Sequence, residues 1–69
     1  MGYVSEADRR RIQNDISNKE AILSGWKNEL RDLERQSRTR EIESQINNKK
    51  DKIRGLENDI QGLRHYLNQ

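Results

Sequence analysis

Cysteine, proline and phenylalanine are missing from this 69-residue chain, and their absence closes off whole classes of protein. With no cysteine there is no internal disulfide, no thiolate metal site and no thiol nucleophile. The lack of proline leaves nothing in the covalent chain that must break a helix. Apolar runs are short, the longest being the three residues Ala21, Ile22 and Leu23. Neither a membrane span nor a secretory hydrophobic region is therefore expected. The opening MGYVSE stops short of an N-myristoylation motif, because Glu6 stands where serine or threonine is needed. A cytoplasmic location is the default expectation, with leaderless export left open.

A strong charge of one sign is missing too. Fourteen Lys and Arg face twelve Asp and Glu, for a net charge of +2, and the basic residues divide evenly between the two halves. A nucleic-acid binder concentrates its positive charge on one face. Only 29% of the chain is hydrophobic, against 38% charged. A chain so short and polar struggles to enclose a globular core. It is then disordered, a thin helical assembly, or a subunit whose core is completed by another chain. Disorder lacks a regular hydrophobic period, and this chain has one.

Apolar residues fall at Ile12, Ile16, Leu23, Trp26, Leu30 and Leu33, then at Ile42, Ile46, Ile53, Leu56, Ile60, Leu63 and Leu67. Steps of three and four residues are the stripe of a coiled-coil seam. Each half interrupts its stripe once, with Lys19 and with Lys49. The halves also resemble each other: ISNKEAILSGWKNEL at 16–30 returns as INNKKDKIRGLENDI at 46–60, matching Ile16 with Ile46, Lys19 with Lys49 and Gly25 with Gly55.

The spacing of this repeat has a geometric consequence. Through one unbroken helix, thirty residues would rotate the second stripe from the first by about 120°, or about 206° with coiled-coil winding. One straight partner could not cover both stripes. A chain reversal lets each stripe face the other. It is expected within QSRTRE, residues 36–41, where Thr39 offers N-cap chemistry. At the other end, Ser5-Glu6-Ala7-Asp8 has the spacing of a capping box. The expected fold is all-α: one antiparallel two-helix hairpin domain over 1–69, with helix one at about 6–36, the turn at about 37–40 and helix two at about 40–67.

Antiparallel alignment then sets Leu23 against Leu56, Trp26 against Ile53, Leu33 against Ile46, Ile16 against Leu63 and Ile12 against Leu67. Lys19 meets Ile60 and Lys49 meets Leu30. Flanking ion pairs Glu20–Arg64, Lys27–Glu57 and Glu34–Lys50 are expected in the same alignment. The seam lysines can extend their ammonium groups outward while their stems cover apolar surface, and they specify register.

Little in the chain points to catalysis. His65 is the single histidine, without partners at metal-ligand spacing, and reads as a solvent-exposed helix residue. Glu41 and Glu43 point to different helix faces. Gly25, Gly55 and Gly62 stand singly inside helical pattern, so no phosphate-binding loop exists. They lie on the outer face, either as a track for a partner helix or as weakly constrained surface, and the latter is favoured.

The expectation is a non-enzymatic structural or adaptor protein without cofactor or metal. Its candidate interface is the stripe Ile12, Ile16, Leu23, Trp26, Leu30, Leu33, Ile46, Ile53, Leu56, Ile60, Leu63 and Leu67. Its partners would be further copies of itself or another helical protein. Nucleic-acid binding through Arg9, Arg10 and Arg11 is the alternative, with Arg35, Arg38 and Arg40 a second basic cluster near the turn. In size and hairpin class the chain is similar to small plasmid hairpin dimers that recognise paired RNA loops, a likeness of architecture alone. A secretion-associated hairpin of the WXG type would carry Trp-x-Gly at its turn, whereas here Gly25 precedes Trp26.

Overall fold

Spacing of apolar residues by three and four makes each half of the chain an amphipathic helix, and capping residues mark where each begins. The computed structural model describes residues 4–68. Helix α1 runs Glu6–Glu34 and helix α2 runs Arg40–Leu67. Ser5 sits before α1 in extended backbone, its hydroxyl oxygen accepting from the Asp8 N–H at 3.2 Å. Thr39 does the same for α2, accepting from the Ile42 N–H at 3.2 Å. Glu6 and Asp8 in one first turn, and Glu41 and Glu43 in the other, complement the positive end of each helix dipole.

The reversal needs no glycine. Arg35, the C-cap that follows α1, stays in right-handed backbone at φ −81° and ψ −15°. The final turn tightens instead, the Arg35 N–H donating to the Asp32 carbonyl and the Gln36 N–H to the Leu33 carbonyl, the i to i−3 pattern that absorbs orphan carbonyls at helix ends. Helix α1 thus stops at Glu34 rather than about 36. Arg38 then bonds Glu43 at 2.9 Å, tying the turn to the first turn of α2.

The two helices pack antiparallel into a hairpin measuring 53 × 17 × 12 Å. One continuous helix of 69 residues would approach ~100 Å at 1.5 Å per residue. Burial follows the stripe and almost nothing else. Among the described residues the buried side chains are Val4, Ile16, Ile46, Ile53 and Ile60. Half-buried positions are Ile12, Lys19, Leu23, Trp26, Leu30 and Leu33 on α1, with Arg9, and Ile42, Lys49, Leu56, Leu63 and Leu67 on α2. Every other described residue is exposed. Full burial of an isoleucine stabilises by about 1.5–3 kcal/mol, and Ile46, at 1% exposure, comes nearest to that limit. Most of the seam receives only part of it.

No helix among the described residues is long and apolar enough to cross a membrane.

Candidate functional site

Each of the twelve candidate interface residues lies on the seam between α1 and α2, buried or half-buried. An amphipathic stripe leaves these side chains no other apolar surface within the hairpin. Ile42 belongs with them, half-buried at the start of α2. Its spacing of four from Ile46 already carried that signal.

Charge pairs flank the seam. Lys27 pairs with Glu57 at 3.2 Å, and Arg64 pairs with Glu20 across the helices. Both are among the three flank pairs deduced from the stripe, and a slip of one heptad would part them. The third, Glu34–Lys50, does not form. Glu34 is the last residue of α1, where the chain leaves for the turn. Each exposed pair contributes at most about 1 kcal/mol, so burial chooses the register and the pairs accompany it.

The lysines within the seam behave differently from those on its flanks. Lys49 keeps only 20% of its side chain exposed, and Lys19 29%, against 49% for Lys27. Lys49 reaches Glu29 on the opposite helix at 2.7 Å and lies 5.9 Å from the centroid of the Trp26 ring. Lys19 forms an ion pair with Asp15 on its own helix at 3.6 Å. Stems cover the seam while ammonium groups meet carboxylates at its edge. The stripe places both lysines in the seam without identifying either acidic partner. The four-residue step from Asp15 to Lys19 was visible. Glu29 required knowing which side of Leu30 the Lys49 ammonium would leave by.

Trp26 is half-buried, not enclosed. Beside it, Leu56, Lys52, Gly55 and Asp59 border a shallow surface groove. A second groove runs between the helices near the turn, lined by Glu29, Leu33, Gln45 and Lys49 among others.

The arginine candidates do not gather into one patch. Arg10 and Arg11 are exposed on the first turns of α1, while Arg9 is half-buried at the seam edge. Successive residues on a helix point about 100° apart, so the triplet fans around α1. Arg35, Arg38 and Arg40 lie at the turn, at the far end of the hairpin, and Arg38 is already paired with Glu43. His65 is exposed in the last turn of α2. No group of three or more His, Cys, Asp or Glu that could hold a metal ion occurs among the described residues. Gly25, Gly55 and Gly62 are exposed, and a Cβ built on any of them meets nothing within 4 Å.

Compared with protein-family models, with curated proteins and with solved structures, the chain matches none.

Proposed function

We propose that this hairpin is a non-enzymatic structural or adaptor module that works by coiled-coil or helical-bundle association, either with copies of itself or with another helical protein. One observation carries the reading: apart from Val4, burial among the described residues is confined to one narrow stripe, of which Ile46 alone is as little as 1% exposed. Two helices sharing so thin a seam are marginally stable by themselves, and covering the seam's open edges adds apolar burial at about 25 cal/mol per Å². The seam lysines fit the same reading. Polar residues at such positions cost stability and select register and partner number.

Thermal unfolding at several protein concentrations tests it. When folding is coupled to association, the midpoint rises with concentration. A cooperative transition with a midpoint independent of concentration, from a chain that sediments as monomer, would end the proposal.

The nucleic-acid alternative draws less support. Its arginines lie at both ends of a 53 Å hairpin and do not form the continuous basic face that phosphate backbones select.

A further inference from the structure

The two sides of the seam differ chemically. On one side the Glu20–Arg64 and Lys27–Glu57 pairs bridge the helices and cap the seam with charge. On the other, Ile22 and Tyr66 are each 48% exposed, and they are the large apolar side chains left exposed among the described residues. Ile22 immediately precedes Leu23 of the seam, and Tyr66 immediately precedes Leu67. In an antiparallel pair, residues holding that same place beside the stripe flank one side. Glu29 and Lys52, which also directly precede seam residues, line a single groove and mark that side.

Trp26 belongs to the same side. Its groove includes Lys52 and Asp59, and it stands four residues from Ile22, one above the other on α1. Together they form an apolar centre near the middle of the hairpin. The Lys19–Asp15 pair frames it toward one end and the Lys49–Glu29 pair toward the other. An apolar centre within a polar rim is the anatomy of a protein interface, and Trp is among the residues enriched at interface hot spots.

We propose that a second copy of this chain docks on the side bearing Ile22, Trp26 and Tyr66, converting the one-layer hairpin into a two-layer four-helix bundle. This rests on the association reading above and names its partner and surface. Area argues for a copy of similar size. The hairpin exposes 5447 Å² at 8.2 kDa, whereas a compact monomer of that mass exposes about 4,500 Å². The excess, about 900 Å², is close to the ~800 Å² that each partner buries in a standard interface. Charge argues for self-association. On this side Asp15, Glu29, Asp32 and Asp59 stand beside Lys19, Lys49 and Lys52, a face that carries both signs. A face of mixed sign can complement itself under a two-fold axis, whereas a partner of one sign would call for an unbalanced face.

Sedimentation equilibrium of the full chain over a range of concentrations, with circular dichroism alongside, tests the proposal. The wild type should sediment at twice 8.2 kDa. Combining Ile22→Glu with Tyr66→Glu should weaken the dimer roughly a hundredfold or more. Ser24→Glu, beside Glu20 and Lys27 on the charged side, should leave it intact. If the double variant unfolds, hydroxyl-radical footprinting of the wild type decides. Ile22 and Tyr66 should lose reactivity as the dimer forms, while exposed His65 keeps its own. Dimers broken by Ser24→Glu but not by the double variant, or Ile22 and Tyr66 reactive throughout, would overturn the assigned side while leaving association standing. Assembly only as trimers or larger rings would overturn the two-copy bundle. A monomer at every concentration would overturn both readings.

Discussion

Gly55 shows how a residue can be unfavourable and still be tolerated. Glycine inside a helix costs about 0.5–1 kcal/mol relative to alanine, yet nothing within the hairpin demands it, because a Cβ there meets nothing within 4 Å. Gly25 and Gly62 are in the same position. Gly25→Ala and Gly62→Ala, which do not line the groove beside Trp26 as Gly55 does, should therefore each raise stability by about 0.5–1 kcal/mol, read as a higher thermal midpoint at fixed protein concentration. A lower midpoint would mean that something outside the hairpin packs against these backbones. Lys49 is the opposite case. It occupies an expensive place but compensates with Glu29 and the face of Trp26, and a cation near an aromatic face adds about 0.5–1 kcal/mol at an exposed site.

At the scale of an element, the two helix starts carry equivalent caps in unequal settings. Ser5 caps α1 at the open end of the hairpin, and Thr39 caps α2 at the closed end. Loss of a capping hydroxyl costs about 1 kcal/mol. Thr39→Ala should show that full cost, since the cap also holds the reversal together with the Arg38–Glu43 pair. Ser5→Ala should cost less, because a helix at an open end can fray by a turn without parting the seam. Urea unfolding of both variants at one concentration checks the order, and equal losses would contradict it. The helix boundaries were legible to this extent: Ser5 and Thr39 were readable as caps because a hydroxyl residue precedes each periodic stretch. The end of α1 was not, because no glycine signals it and the tightened bonds from Arg35 and Gln36 are backbone geometry.

For the whole molecule, the question is which residues hold an assembly together. If the stripe does, Leu23→Ala or Trp26→Ala should weaken assembly. Core truncations cost roughly 2–5 kcal/mol, and half-buried sites such as these should fall toward the lower end. Neutralising the exposed Arg10 and Arg11 together should change the midpoint little, as exposed charges contribute weakly. Binding to structured RNA that falls steeply with salt and disappears in the arginine variant would reverse that assignment.

Sequence alone determined the helical state, the reversal and the stripe, because a period of three and four residues is a local property of backbone geometry. It also determined the phase mismatch that rules out one straight helix with one straight partner. Only the tertiary structure decided which flank pairs form. Glu20–Arg64 and Lys27–Glu57 close, whereas Glu34 ends its helix unpaired with Lys50. Tertiary structure likewise decided that Lys49 leaves the seam toward Glu29 and that Trp26 remains half-buried. Periodicity records which residues share a face. The direction in which a long side chain leaves that face depends on the neighbouring helix, whose carboxylates and open edges exist only once the two are packed.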